Sequence, residues 1–172
     1  MPTYDASSAS CLVFTYKEGL LSRVAHDLKF EVRSFTVDFD GESVQASFDP
    51  RSVTCLCAMK RGRENPRALS ASDIDKIHEN MHRDVLQPSE HPTIRFTSDR
   101  VERQGSQLRI AGQLELHGQT HAVRANAALV GGQWEAEITL HQPTWGIKPF
   151  TAVMGTLKVK PDVMVRIRVP AR

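Results

Sequence analysis

Along most of the chain apolar side chains recur at every second position, the spacing of strands with one buried face. In "QLRIAGQLELHG", Leu108, Ile110, Gly112, Leu114 and Leu116 share one side while Arg109, Gln113 and Glu115 share the other. The same alternation selects Leu12, Phe14 and Tyr16, then Leu28, Phe30 and Val32. It continues in opposite parity through Phe35, Val37 and Phe39, which predicts a bulge or sharp bend near Arg33-Ser34. Further rows follow at Val44, Ala46 and Phe48; Ile94, Phe96 and Ser98; Val123, Ala125, Ala127 and Leu129; Trp134, Ala136, Ile138 and Leu140; and Val163 to Val169. With the bent segment taken as one, about eight strands result. Turn residues at Asp40-Gly41, Gln104-Gly105-Ser106, Gly118-Gln119 and Gly131-Gly132 make the links short and the neighbours antiparallel. An all-β, eight-stranded antiparallel up-and-down barrel is the first expectation, because closure removes sheet edges; an open sandwich is the second.

One segment departs from this period. Over about residues 72–86, Ile74, Ile77, Met81 and Val85 form a helical row, with Ser70 and Ser72 as candidate N-caps and Asp73 and Asp75 in the first turn. This predicts one amphipathic helix inserted between strands. There is no internal repeat or low-complexity run, and the length suits one core, so residues 1–172 read as a single domain.

Composition narrows the partners. Lys and Arg number 22 against 20 Asp and Glu, a formal charge of +2 that lacks the field of a nucleic-acid binder. Cys11, Cys55 and Cys57 are odd in number and match no zinc or redox spacing, which suits structural thiols in a reduced setting. The chain opens without a visible secretory signal and holds no apolar run long enough to span a membrane, so a cytoplasmic protein is expected.

The helix also spells His78-Glu79-Asn80-Met81-His82, the H-E-x-x-H pattern of zinc peptidases. Both histidines lie one turn apart, and Glu79 is placed to activate a metal-bound water. The extended form of the motif fails, since Val85 and Pro88 stand where Gly and His are required. His78 also falls within the arc of the apolar row, where docking competes with an open metal site. His78 and His82 are therefore read as incidental, with a zinc hydrolase kept as the alternative.

Four spaced segments carry a resemblance: "HDLKFEV", "HPTIRFTSDRV", "IAGQLELHGQTHAV" and "WGIKPFTAVMGTLKV". Together, from about Leu12 to Val169, they resemble the YceI-like family of lipocalin-like eight-stranded barrels, whose characterised members bind polyisoprenoid or quinone lipids. The family's inserted helix carries an I-x-x-x-M-x-x-x-V-L pattern, matched by Ile77, Met81, Val85 and Leu86, with His78 and His82 at variable positions. The chain departs from many secreted members in having no signal sequence, and Trp145 stands where an aromatic such as Phe is common. The periplasm is thus the second choice of compartment.

Read as a binding barrel, the interior is formed by Phe14, Leu28, Phe30, Phe39, Phe48, Phe96, Leu114, Leu116, Ala125, Ala127, Trp134, Ile138 and Phe150. Several inward positions are small: Ala46, Ser98, Gly112, Ala125, Ala127 and Ala136. Because interiors are otherwise close-packed, these leave room for a guest unless the aromatic rings fill it. The expected partner is an amphipathic or apolar small molecule, a polyisoprenoid or isoprenoid quinone by the resemblance, bound without catalysis or a resident cofactor. Lys60, Arg61 and Arg63 are a candidate head-group site, read otherwise as a solvated basic loop. His26-Asp27 is read as a hydrogen-bonded pair at a barrel end; His117, His121 and His141 suit a solvated rim. A filled barrel acting as an interaction or stress-response module, through a homodimer formed along an edge or barrel mouth, is a further alternative.

Overall fold

The computed structural model describes residues 1–19, 25–152, 155 and 157–171. Within the last family-like segment, Val153, Met154 and Thr156 lie outside the described residues. The strands are β1 (Thr3–Asp5), β2 (Ser10–Thr15), β3 (Asp27–Val32), β4 (Phe35–Phe39), β5 (Val44–Phe48), β6 (Val53–Lys60) and β7 (Arg63–Asn65), followed by α1 (Ala71–Asn80). Then come β8 (Ile94–Gln104), β9 (Gln107–Leu116), β10 (Gln119–Val130), β11 (Gln133–His141), β12 (Thr151–Ala152), β13 (Leu157–Lys158) and β14 (Asp162–Pro170). All but β12 and β13, which pair with each other, join one antiparallel sheet ordered β1-β4-β5-β8-β9-β10-β11-β14-β2-β3-β6-β7.

That order closes once chain continuity is taken into account. β3 and β4 are separated only by Arg33-Ser34, the bend expected from the parity change. β4 pairs with β5 and β3 with β6, so the two bent strands run side by side on either side of a corner. β1 and β2 follow the same corner against β4 and β3. β2 hydrogen-bonds to β14 and β5 to β8, linking this bent ribbon to both ends of the β8–β14 meander. Joining the three bent pairs and setting β7 aside leaves an eight-membered antiparallel ring.

The corner is fixed locally. Asp49 caps a short 3-10 turn, Pro50–Ser52, by accepting from the Arg51 amide at 2.9 Å. Ser52 Oγ accepts from the Ser34 amide at 2.9 Å, and the Asp49 amide donates to Ser34 O at 2.9 Å. The backbone groups that leave the ladder at the bend thereby keep partners.

The ring is complete on one side of the bend and split on the other. β6 pairs with β3 and β7, whereas β8 pairs with β5 and β9; among the described residues no strand joins β6 to β8. α1 and a π-helical turn, Met81–Leu86, occupy that side. Ile74, Ile77, Met81 and Leu86 pack against the cluster containing Phe30, Val53 and Cys55, and Val85 packs against that of Leu114, Leu116, Trp145 and Ile147. Of the two candidate caps, Ser70 starts α1. Its hydroxyl accepts from the Asp73 amide at 3.1 Å while the Asp73 carboxylate accepts from the Ser70 amide at 2.8 Å, a reciprocal capping box.

The first strand faces the opposite way from its expected register. Cys11 and Val13, not Leu12 and Phe14, point inward, and Phe14 lies outside beneath the Arg166 guanidinium, 5.2 Å from the ring centroid. Both rows of this strand are apolar, so alternation does not choose between them. β6 has no counterpart among the strands expected from the sequence, since Val53-Thr-Cys-Leu-Cys-Ala58 shows no clean apolar–polar alternation.

Candidate ligand-binding site

The barrel axis is an apolar cavity of about 680 Å³, within the usual range of roughly 300–1,000 Å³ for small-molecule sites. Its blind end is made by Cys11, Leu108, Ala127, Trp134 and Val169, all buried. The lining continues upward through Phe30, Phe39, Ala46, Phe96, Ala125, Ala136, Val165 and Ile138. At the split end it meets Ile77, Met81, Val85 and Leu86 of the helical segment, then Phe150 and Leu157.

Every interior residue expected from the sequence lines this space except Phe14. The four alanines at positions 46, 125, 127 and 136 line it as well. The other two small residues act differently. Ser98 turns its hydroxyl to accept from the Val44 amide at 2.8 Å, next to a β8 bulge. A Cβ on Gly112 would come within 2.6 Å of Phe96 Cζ and collide with Thr97 O, so the glycine leaves the room in which the Phe96 ring lies.

Against the alternative of an aromatic-filled core, the rings leave a cavity of about 680 Å³. Phe14 is outside, Phe35 stacks on Phe48 at 5.9 Å without lining the cavity, and the Trp134 ring packs at the blind end with the Arg103 guanidinium 5.4 Å from its centroid. The remaining rings form walls, not a plug.

Polar groups at the split end are His26, Asp73, Lys76, Asn80, Gln142 and Lys158. The candidate head-group residues are not among them. Lys60, Arg61 and Arg63 form the exposed tip of the β6–β7 hairpin, with Arg61 in the left-handed region at φ 52°. β6 continues past the mouth, which carries the basic turn away from the cavity. His26 and Asp27 are likewise separated by strand alternation: His26 lines the mouth, and the Asp27 carboxylate accepts from the Lys17 amide at 2.8 Å on the other side.

One side of this end is closed by the aperiodic segment "HQPTWGI". It forms a 3-10 turn, Gln142–Trp145, ending at Gly146 with φ 72°. Buried Trp145 Nε1 donates to Leu114 O at 3.1 Å, and Gln142 Nε2 donates to Lys160 O at 3.2 Å. Of the three histidines expected on a solvated rim, His117 and His121 have packing roles here. His121 meets the Trp145 ring edge-on at 5.6 Å, and His117 lies 4.1 Å from the His91 ring with Nε2 3.1 Å from Gln87 Oε1. Burial, then the neighbouring His91, hold the His117 pKa below its ordinary value. His141 pairs with Asp162 at 2.6 Å on the surface.

The two histidines of the H-E-x-x-H sequence do not converge on a shared point with a third ligand; among the described residues no cluster of three His, Cys, Asp or Glu side chains could hold a metal. His78 Nε2 accepts a hydrogen bond from the Cys55 amide at 2.8 Å, which occupies the lone pair a metal would need. Glu79 pairs with Arg83 at 3.5 Å on the exposed side. The thiols are unpaired, and burial raises all three, Cys11 to about 12 and Cys55 to about 11, far from a reactive thiolate at neutral pH.

No helix in the described residues is long and apolar enough to cross a membrane. No curated protein matches the chain. Among solved structures, BcnA of Burkholderia cenocepacia superposes with a TM-score of 0.68 at 13% identity, over 98% of this chain and 99% of that one. A polyisoprenoid binding domain from Saccharophagus degradans, implicated in plant cell wall breakdown, gives 0.59 at 10% identity over 99% and 97%. A Campylobacter jejuni YCEI protein gives 0.54 at 15% identity over 80% and 79%. At these identities the likeness is one of fold. The YceI-like domain family matches residues 4–171, essentially the whole chain, and this protein therefore belongs to that family.

Proposed function

We propose that this protein binds a long apolar lipid, polyisoprenoid or isoprenoid-quinone-like, inside the barrel and performs no chemistry on it. The observation that carries the reading is the continuous cavity of about 680 Å³, lined almost wholly by apolar side chains of the strands and of the helical segment, with its polar groups gathered at the split end. Each buried CH₂ contributes about 0.8 kcal/mol. A chain of about ten carbons thus gains roughly 8 kcal/mol before association costs of several kcal/mol, so affinity grows with the length of chain the cavity takes in. The polyisoprenoid named for the Saccharophagus degradans domain has a shape suited to this space. The interior ligand residues are Leu28, Phe30, Phe39, Phe48, Phe96, Leu114, Leu116, Ala125, Ala127, Trp134, Ile138 and Phe150. The head group lies at the mouth with Lys76 and Lys158 and not at Lys60–Arg63. Three unpaired thiols suit a reducing compartment, and we take the cytoplasm as the working location.

The test is organic extraction of the purified protein with mass spectrometry, alongside titration with polyprenols and quinones. A co-purifying lipid that is lost in Ala125→Phe, whose ring fills the middle of the cavity, is the expected result. A folded wild-type protein with no lipid and no affinity for either class sinks the proposal.

A further inference from the structure

The H-E-x-x-H histidines have a position that lipid binding alone does not explain. α1 completes the split wall, yet it is lightly held: neither it nor the π-helical turn contributes a buried residue. Its inner side offers Ile77 and Met81 to the cavity, and among the described residues its flank is tied to the barrel by a ring nitrogen, His78 Nε2, accepting from the Cys55 amide at 2.8 Å. That amide belongs to β6 where the register against β3 slips between Lys29 and Phe30, so the bond forms at an irregular point in the ladder. One turn further on, His82 Nε2 is enclosed with no hydrogen-bond partner among the described residues.

From this geometry we infer that α1 is a proton-released lid: protonation of His78 breaks its hydrogen bond to β6, frees the helix from the split wall and lets the bound lipid leave. The release function rests on the lipid-binding reading above; the latch itself does not. An imidazolium has two N–H donors and no acceptor, so it cannot receive the Cys55 N–H. The surroundings favour the neutral ring. Burial is the largest cause holding the His78 pKa below 6.5, followed by His82 on the adjoining turn; Arg33 at the β3–β4 bend acts in the same direction. Asp75 on the same helix opposes them, and the fourth neighbour, Cys55, is an un-ionised thiol. The sign is that of a depressed pKa: the latch's contribution is complete above about 6.5, the unfolded value, and is lost as pH falls through the lower folded value.

The test pairs a ligand-independent readout with a release rate. Backbone amide exchange of Cys55 and α1, corrected for intrinsic pH dependence, is followed between about pH 7.5 and 5, with Val165 as a reference in the barrel. Release of the neutral fluorophore N-phenyl-1-naphthylamine is timed over the same range. In the wild type, Cys55 and α1 lose protection in acid while Val165 keeps it, and release speeds by about tenfold, the factor carried by one ordinary hydrogen bond. His78→Gln, which keeps an acceptor but cannot titrate, stays protected and slow throughout; His78→Ala is open at both ends of the range. Protection of Cys55 and α1 that persists in acid overturns the inference, as does simultaneous loss at Val165 or an unchanged acid response in His78→Gln. Should the fluorophore not bind, the lipid-binding reading suffers while amide exchange still decides the latch.

Discussion

The two ends of the barrel are built on different principles. At the blind end Leu108, Ala127, Trp134, Val169 and Cys11 come from five successive paired strands and are all nearly inaccessible to solvent. Hydrogen-bond ladders fix the backbone there, and side-chain burial supplies the stability. At the split end the wall is a short capped helix, a π-helical turn and the Gln142–Trp145 crossing, held by a few directed bonds and half-buried apolar contacts. Local opening should therefore be concentrated at one end, where few buried contacts resist it.

The contrast is most severely tested by truncation. Trp134→Ala should cost about 3–5 kcal/mol of unfolding free energy, whereas Met81→Ala, made in a half-buried helix position, should cost less than about 2 kcal/mol. Urea titrations giving equal losses would erase the distinction. Next in size is Gly112→Ala. Its added methyl must displace the Phe96 ring and strain β8, for an expected loss of about 1–3 kcal/mol; a thermal midpoint equal to wild type would show that Phe96 moves aside freely.

A smaller effect is expected from Ser70→Ala, which removes one half of the capping box and about 1 kcal/mol of helix stability. Amide exchange should accelerate in residues 71–80 and stay unchanged in β9 and β14, and a change spread over the whole barrel would contradict a separable lid. The smallest effect concerns His117. Its lowered pKa means that the neutral ring is the native form, so its stabilisation is present above about 6.5 and fades as pH falls through the lower folded value. The stability difference between wild type and His117→Asn should shrink in mild acid; a difference that grows there would reverse the assigned protonation state.

The sequence made the blind end easier to read than the split end. β9 and β14 alternate cleanly because each has a wet and a dry side, and their inward residues were legible one by one. The helix row at Ile74, Ile77 and Met81 was legible for the same reason with another period. β2 was not, since Leu12 and Phe14 compete with Cys11 and Val13 and only the partner strands decide which row faces in. The Gln142–Trp145 crossing has no period, and its anchor is a single indole-to-carbonyl bond across the fold. For the basic hairpin both readings stayed open in the sequence because charge composition carries no direction; in the fold its tip is exposed. His78 was placed on the docking face by its angle around the helix, but its bond to an amide on β6 depends on a bulge that periodicity does not display.

A cylinder whose last stave is a helix has a seam. Peeling α1 back severs no inter-strand ladder and opens a sideways exit while the other staves keep their register. A molecule longer than the bore can rest with its tail inside and its remainder emerging along that seam, and its loading need not involve threading from one rim.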